Sequence, residues 1–273
     1  MNKYSAYEYI KIDLAEQFGQ GELNFEDRVK WVDTNRDTFI TQKAKEPILA
    51  TKAYNALLDA EAGVATGFLT SMDATSSGLQ IMACLSGCHT TAGNVNLINT
   101  GRRENAYRKV AEVIFNKCGT QYTTKEVKKP VMTTMYNSRA QPKQLFGDGT
   151  IELETFYDTM WELFPGAMDV LTSIQSYQDS TALEYVWTLP DQHTARVKVM
   201  TPVDKKIEVD ELNHATFTHR AYINQSTDFD LSLPANIVQS IDGYIVREMY
   251  RLATEQKFEL LTIHDSFIQS DAA

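Results

Sequence analysis

The 273-residue sequence predicts an α+β protein that is mostly helical. Most segments repeat apolar residues at the spacing of an amphipathic helix. Only a few short segments have strand character, and they lie far apart in the chain. No internal repeat or low-complexity linker divides the sequence, so we expect one interwoven unit that buries a substantial core.

The composition places the chain among globular proteins, with 43% hydrophobic and 23% charged residues. No apolar run approaches the ~18 residues of a membrane span, and the start lacks the pattern of a signal peptide. We therefore expect a soluble cytoplasmic protein with no membrane contact. Three cysteines argue against a disulfide framework. Cys84, Cys88 and His89 lack a further ligand pair for zinc, so we interpret the cysteines as small side chains on a helix.

Two helices are predicted near the start of the chain, over residues 5–17 and 24–45. Gly19 and Gly21 separate them. Asn24 can cap the second helix, and the acidic residues of its first turn favour the helix dipole.

Two predicted strands end at aspartates. Residues 67–72 run directly into Asp73, and a helix is expected after it, over residues 78–85. Residues 258–263 run into the turn that contains Asp265, and a second apolar strand follows. Because no structural reason requires a charge at such a turn, Asp265 is a candidate functional residue.

The middle of the chain predicts two helices with a basic surface. Residues 104–117 form the first, with its buried face at Tyr107, Val110, Ala111 and Ile114. The second covers residues 127–136, because Pro130 is best tolerated in a first turn. Its N-terminus would then lie beside Lys125, Lys128 and Lys129, an arrangement that favours anions such as a triphosphate.

Two further elements complete the prediction. Residues 196–200 and 206–209 alternate with period two on either side of Thr201-Pro202, which predicts a half-solvated hairpin. Residues 236–255 predict a long helix. Its buried stripe is expected at Ile237, Ile241, Ile245 and Leu252.

The charge is unevenly distributed. The net charge of −10, from 26 basic and 36 acidic residues, argues against nucleic-acid binding over the whole surface. Residues 102–143 reverse the balance, with ten basic and three acidic residues and a net charge of +7. This segment indicates either a polyanion contacted at one place or a solvated basic helix face, and charge alone leaves both open.

Asp73 and Asp265 are the candidate metal ligands, because strands can bring distant residues together at one end of a sheet. Two carboxylates there can hold Mg²⁺, which prefers oxygen ligands and leaves room for substrate phosphates. Spacing alone favours a plainer interpretation, in which both are turn or cap residues.

Three sequence segments favour the interpretation of Asp73 and Asp265 as metal ligands over that of turn or cap residues. They read DATSSGLQ at residues 73–80, KKPVMTTMYNS at 128–138 and HDSF at 264–267. In order and context they resemble motifs A, B and C of the single-subunit DNA-dependent RNA polymerases of phages and mitochondria. The similarity extends to FEDRVK at 25–30, GNVNL at 93–97 and NIVQSIDG at 236–243, and it covers roughly residues 8–268.

The resemblance implies the right-handed polymerase fold, with fingers and with a palm built on a small antiparallel sheet, but without thumb and N-terminal domain. Four parts are expected. They are a helical part of palm and fingers at 1–65, the palm with motif A at 66–100, the fingers and insertions with motif B at 101–234, and the palm with motif C at 235–273.

The resemblance also implies residue roles. Asp73 and Asp265 would bind two Mg²⁺ ions, with the carbonyl of Ala74 as a further ligand. One ion would activate the primer 3′-hydroxyl, and the other would hold the incoming triphosphate. Lys128 would contact this triphosphate, and Tyr136 would pack under the sugar and base. Further substrate-binding candidates are Gly78, Lys125, Lys129, Ser138, Gln239 and His264, the last with a supporting role in its turn.

Two positions favour ribonucleotides. Gly78 lies where related DNA polymerases have a glutamate that excludes the ribose 2′-hydroxyl. Tyr136 replaces their phenylalanine and adds a hydroxyl that can recognise the 2′-oxygen, which discriminates more sharply than size alone.

Three positions depart from the family pattern. Thr124 stands where the family has an arginine, four residues before Lys128. Asn137 replaces a glycine, and asparagine can adopt a left-handed backbone because its side chain bonds locally. Gln239 replaces a histidine; it can donate a hydrogen bond but cannot carry a charge.

Family members are longer, with a promoter-binding domain, a thumb and a Gly-Arg motif upstream of motif A that this sequence lacks before Asp73. We therefore expect the catalytic subunit of a split, heterodimeric phage polymerase, whose second subunit carries the thumb and upstream elements. The other expected partners are the DNA template, the RNA product, ribonucleoside triphosphates, and promoter-melting or single-stranded-DNA-binding factors in an infected bacterial cell.

Two alternatives stay open. A fragment similar to family A DNA polymerases is disfavoured by Gly78 and Tyr136. A non-catalytic DNA-binding or scaffold subunit would keep the fold without the reaction, and the presence of Asp73, Asp265 and Lys128 argues against it.

Overall fold

The computed structural model describes residues 4–38, 44–227 and 232–270. Within these ranges the chain is mostly helical with small antiparallel sheets, which confirms the α+β prediction. The chain divides into two compact units: Met1–Ser77, Asn96–Asn105 and Ile245–Ala273 form the first, and Gly78–Val95 and Ala106–Tyr244 form the second. No helix in the described ranges is long and apolar enough to cross a bilayer.

The elements of the described residues follow one another along the chain. The helices are α1 (Ala6–Gln17), α2 (Phe25–Asn35), α3 (Pro47–Glu61), α4 (Ser77–Ser86), α5 (His89–Asn94), α6 (Ala106–Cys118), α7 (Thr124–Met135), α8 (Ala140–Phe146), α9 (Ile151–Leu163), α10 (Pro165–Ser176) and α11 (Ser232–Gln256). The strands are β1 (Leu69–Met72), β2 (Glu184–Thr188), β3 (Thr194–Lys198), β4 (Met200–Val209), β5 (Ala215–Asn224), β6 (Leu260–Ile263) and β7 (Ser266–Ser270).

The first unit packs α1, α2 and α3 around a small core. Leu14, Val32 and Leu57 are almost completely buried there. Arg28 is buried beside this core, where it donates to Glu16 at 2.6 Å and to the carbonyl of Leu23 at 3.0 Å. A buried guanidinium needs such partners, because an unpaired charge away from water is costly.

The second predicted helix is shorter than expected. Asn24 caps it as predicted, but α2 ends at Asn35 rather than at residue 45. Two side chains explain the early end of the helix. They donate hydrogen bonds to backbone carbonyls of the last turn, and so compete with the backbone hydrogen bonds that would continue the helix. Asn35 Nδ2 donates to the carbonyl of Trp31 at 2.8 Å, and Thr38 Oγ1 donates to that of Asn35 at 2.6 Å. Residues 39–43 of the predicted helix lie outside the described residues.

The core of the second unit confirms the amphipathic prediction for residues 104–117. Helix α6 covers most of this segment, and all four residues of the predicted face are buried. Helices α7 and α9 pack against it. The large buried side chains that complete this core are Val127, Met135, Phe156, Met160 and Phe164.

The predicted position of Pro130 in a first turn is wrong. Helix α7 begins at Thr124 because Thr123 and Glu126 form a reciprocal capping box. Pro130 therefore lies inside the helix and is buried. Of the three lysines, Lys125 lies in the first turn, whereas Lys128 and Lys129 lie in the second.

The predicted hairpin across Thr201-Pro202 is also wrong. Strand β3 pairs with the preceding strand β2, with Val186 opposite Arg196. Thr201 and Pro202 belong to β4, which pairs with β5 along its whole length. Both strands of a two-stranded sheet are edge strands. Pro202 is tolerated there, because an edge strand can have a residue without an amide proton on its unpaired side.

Helix α11 differs from its prediction in the residues that it buries. It begins in the second unit and ends in the first, so it does not need one buried stripe along its length. Ile237, Ile241 and Leu252 are half-buried, and Ile245 is 37% exposed. Val238 and Ala253 are buried instead.

Removal of the α2 cap is expected to destabilise the protein. Asn24 Oδ1 accepts a hydrogen bond from the amide of Asp27 at 2.8 Å, and Asn24→Ala should lower the free energy of unfolding by about 1 kcal/mol. Asn55→Ala, at an exposed position inside α3, is the matched control and should change it by less than about 0.5 kcal/mol. Urea unfolding followed by circular dichroism measures both, and equal effects would contradict the capping role.

Candidate active site

The two candidate aspartates lie at the same end of the three-stranded sheet. Its strand order is β1-β7-β6, and both pairings are antiparallel. Met72, the last residue of β1, lies opposite Phe267, and Asp73 follows it directly. Ile263 and Ser266 close the β6–β7 hairpin, whose two-residue turn contains Asp265. The structure thus brings Asp73 and Asp265 to one end of the sheet, as the sequence predicts.

Hydrogen bonds join the end of β1 to this turn. The hydroxyls of Ser71 and Ser266 are 2.9 Å apart, and Ser266 Oγ also lies 3.4 Å from the carbonyl oxygen of Met72, to which it donates. Asp73 is exposed and Asp265 is half-buried. Within the described ranges neither carboxylate is hydrogen-bonded or ion-paired, so their oxygens are available to a ligand.

His264 and Ala74 flank the two aspartates. His264 is exposed and has a φ of 56°, the left-handed backbone that a two-residue hairpin turn requires. This conformation supports its expected role in shaping the turn. Ala74 follows Asp73 outside regular structure, where its carbonyl is not part of a helix or strand.

In the second unit, three lysines share one side of α7. Lys125, Lys128 and Lys129 are spaced three and four residues apart, so their side chains are neighbours on the helix surface. All three are exposed, and among the described residues none of their ammonium groups has a hydrogen bond or an ion pair. Such a group of uncompensated ammonium ions attracts an anion.

Tyr107 connects Lys128 to Tyr136. The ammonium of Lys128 lies 5.7 Å from the centre of the Tyr107 ring, within the range of a cation–π contact. Burial raises the pKa of Tyr107 to about 12, and the nearby phenol of Tyr136 adds to this rise. From its spacing on the helix, Tyr107 is predicted only as a core residue. A tyrosine among the aliphatic residues of a helix face was the available signal that it also has a polar neighbour.

Gly78 lies beside Tyr136 and Val238. A Cβ atom at Gly78 would lie 3.4 Å from the Tyr136 hydroxyl and 3.8 Å from Cγ1 of Val238. The absence of a side chain at Gly78 therefore leaves room beside the hydroxyl. Gln239 follows Val238 on α11 and is exposed. Sequence reasoning missed Val238, which no motif distinguishes from an ordinary core residue.

Asn137 and Ser138 lie at the end of α7. Asn137 has a φ of 62°, which confirms the expected left-handed backbone. Its side chain does not bond locally, however, but accepts a hydrogen bond from Gln175 Nε2 at 2.6 Å. Ser138 lines a cavity of about 390 Å³ between α7, α9 and α10, to which Tyr157 and Trp161 also contribute.

A comparison with protein families identifies the chain. The profile of the DNA-dependent RNA polymerase family matches residues 2–145, which is more than half of the sequence. The chain belongs to the DNA-dependent RNA polymerase family. Members of this family are nucleotidyltransferases that use a DNA template and nucleoside triphosphates. A comparison with curated proteins found no match.

The matched range contains most of the candidate residues of this polymerase-family chain. Asp73, Gly78, Lys128 and Tyr136 lie within it, whereas Asp265 lies beyond it. The first unit carries the aspartates and His264, and the second carries the lysines, Gly78, Tyr136, Ser138 and Gln239.

Other metal-binding side chains do not join this site. Cys84, Cys88 and His89 do not form a group of three converging ligands in the part of the chain that the structure describes. Glu208, Asp210 and His214 do converge, at the exposed tip of the β4–β5 hairpin. Both carboxylates already pair with His214 Nδ1 there, at 2.8 and 3.3 Å.

The raised pKa of Tyr107 predicts a pH-dependent stability. The pKa of its phenol is 10 when the group is exposed and about 12 in the folded protein. The stability that comes from burying the neutral phenol is therefore fully present below pH 10. It should fall as pH rises from about 10 towards 12, by up to roughly 2 kcal/mol. Tyr107→Phe should lack this part of the alkaline loss.

Urea unfolding between pH 9 and 11.5 measures the difference between wild type and Tyr107→Phe. Tyr177→Phe, at a ring that is 78% exposed, is the matched control. Identical pH dependence of wild type and Tyr107→Phe would contradict the burial of this phenol.

Proposed function

We propose that this chain is the catalytic palm and fingers subunit of a DNA-dependent RNA polymerase, and that it joins ribonucleoside triphosphates on a DNA template. The observation that carries the proposal is the convergence of Asp73 and Asp265, both unpartnered among the described residues, at one end of the β1-β7-β6 sheet. Under this proposal residues 1–65 are a helical part of palm and fingers, residues 66–100 and 235–273 form the palm with motifs A and C, and residues 101–234 form the fingers and insertions with motif B.

The donor chemistry at the aspartates fits Mg²⁺. Two carboxylates at one end of a sheet repel each other when no cation is present. Mg²⁺ prefers oxygen ligands such as these. Asp73, Asp265 and the carbonyl of Ala74 would hold the two ions. When bound, such ions stabilise the attacking and leaving oxygens of a phosphoryl transfer.

The chain's own cations complete the charge balance. Lys128, with Lys125 and Lys129 beside it, would bind the triphosphate and neutralise charge on its leaving group. The ring of Tyr107 restricts the position of the Lys128 ammonium. A lysine that is already positioned loses less conformational freedom when substrate binds.

The position of Gly78 beside the Tyr136 hydroxyl supports the preference for ribonucleotides. The space at Gly78 accepts a 2′-hydroxyl, and the Tyr136 hydroxyl beside it can hydrogen-bond to that oxygen. The DNA polymerase alternative would require this space to be closed. Gln239 and Ser138 would contribute polar contacts to the same substrate.

We also propose that a second subunit supplies the thumb and upstream elements. Support comes from the palm sheet, one face of which carries Leu69, Leu261, Ile263 and Ile268. The first three are 38%, 55% and 60% exposed. An apolar sheet face of this kind is typical of a surface covered by another protein.

The setting proposed for this heterodimer is the cytoplasm of a phage-infected bacterium, with accessory factors that melt the promoter.

Loss of one metal-binding carboxylate should abolish catalysis. With Mg²⁺ and the subunit that co-purifies from the host, Asp265→Asn should reduce extension of an RNA primer on a DNA template by at least about a hundredfold. Mn²⁺ binding, measured by electron paramagnetic resonance, should weaken in parallel. Asp59→Asn, at an exposed aspartate of α3, is the matched control. Full extension by Asp265→Asn would exclude the proposed metal site.

The Tyr136 hydroxyl should determine sugar choice. Tyr136→Phe removes the proposed hydrogen bond to the 2′-oxygen, so the preference for ribonucleotides over deoxyribonucleotides should fall about tenfold. Single-nucleotide extension rates with each substrate give this ratio. Tyr122→Phe serves as the control, because its ring packs against Phe146 elsewhere in the second unit. An unchanged ratio in Tyr136→Phe would assign sugar choice to other residues.

A further inference from the structure

A second cleft lies within the first unit. It has a volume of about 830 Å³, and its walls are the start of α2, Tyr4, and the loop over residues 96–103. Thr75, two residues after Asp73, also lines it. This cleft is therefore next to the motif A segment in the chain, but it contains neither of the candidate metal ligands.

The loop that forms one wall is held by its own hydrogen bonds. Asn96 Oδ1 accepts from the amide of Glu104 at 2.7 Å, and Asn96 Nδ2 donates to Thr75 Oγ1 at 3.2 Å. The amide of Gly101 donates to Asn99 Oδ1 at 2.8 Å. These bonds fix the loop, so the two arginines that it carries, Arg102 and Arg103, are presented from a defined backbone.

Most charges around the cleft are balanced. Each of the three carboxylates that line or border it has a partner within the first unit. Tyr4 donates a hydrogen bond to Glu26 at 2.6 Å. Asp27 forms an ion pair with Lys30 at 3.6 Å, and Glu104 forms one with Arg102 at 2.9 Å.

Arg103 is the exception. It is half-buried and lines the cleft, and in the ranges that the structure describes it has neither an ion pair nor a hydrogen bond. It also lies near a second guanidinium: burial lowers the pKa of Arg28, and the positive charge of Arg103 lowers it further. A half-buried cation without a counter-ion, close to another cation, is unfavourable unless an anion occupies the cleft.

Two aromatic rings also line the cleft. Tyr4 and Phe25 are in edge-to-face contact, with ring centres 5.6 Å apart, and Phe25 is 37% exposed. Aromatic side chains next to a cation are the combination with which proteins bind single-stranded nucleic acid, since bases stack on the rings and phosphates pair with the cation. The cleft volume is at the upper end for one small ligand, which fits consecutive nucleotides better than one.

We propose that this cleft binds a single-stranded nucleic acid, with a backbone phosphate on Arg103 and a base against Phe25. The identity of the strand as one that the enzyme copies or makes rests on the proposed polymerase function. The recognition chemistry rests on the cleft alone. Arg103 is thus a binding residue for the strand, and it has no part in the metal site.

Fluorescence anisotropy with a short labelled oligothymidylate tests this proposal without any catalytic step. Arg103→Gln should weaken binding about tenfold, and it should reduce the slope of log K against log salt by about 0.7, the value for one phosphate on a single strand. Lys45→Gln removes one positive charge from an exposed position of the same unit outside the cleft, and it should bind as wild type does.

Thermal unfolding without oligonucleotide separates binding from structure. Because Arg103 makes no hydrogen bond or ion pair with the part of the chain that the structure describes, Arg103→Gln should melt at the same temperature as wild type or slightly higher. Equal weakening by Arg103→Gln and Lys45→Gln, or displacement of the oligonucleotide by free nucleoside triphosphate in wild type only, would overturn the proposal. Arg103-dependent binding by a chain that cannot extend a primer would reject the proposed polymerase function and support the proposed cleft. Primer extension without Arg103-dependent binding would reject the cleft and leave the polymerase function supported.

Discussion

The antiparallel pairing of β1 with β7 is the constraint on which the candidate active site depends. The hydroxyl contact between Ser71 and Ser266 joins residues that are 195 positions apart. A slip of one residue in this register would move one aspartate to the other face of the sheet relative to its partner. The intervening chain, which includes the whole second unit, must therefore fold so that its two ends meet in one register.

The second unit depends on burial in a similar way. Helix α6 buries Val110 and Ile114, and the same face orients Tyr107 toward Lys128 and Tyr136. Burial of the Tyr107 side chain fixes its phenol near these two neighbours. A candidate substrate site built in this way changes little when exposed residues around it change.

The distribution of unpaired charge follows the proposed chemistry. Structural ions such as Arg28 and Lys11 have carboxylate partners at 2.6 and 2.5 Å. Among the described residues, the candidate functional groups do not: Asp73 and Asp265 lack cations, and the α7 lysines and Arg103 lack anions. A nucleic acid, a triphosphate and divalent cations together carry the charges that would balance them.

The sequence by itself determined the features that depend on a few neighbouring residues. The Asn24 cap, the buried face of α6 and the strand ends at Asp73 and Asp265 could all be predicted, because cap chemistry and side-chain periodicity act within one or two turns. Only the tertiary structure decided which strands pair, where Pro130 lies in α7, and which residues of α11 are buried. The position of Gly78 beside Val238 belongs to the same group, as does the lack of a partner for Arg103 among the described residues. Each of these depends on free energy from contacts between residues far apart in the chain, which local patterns do not contain.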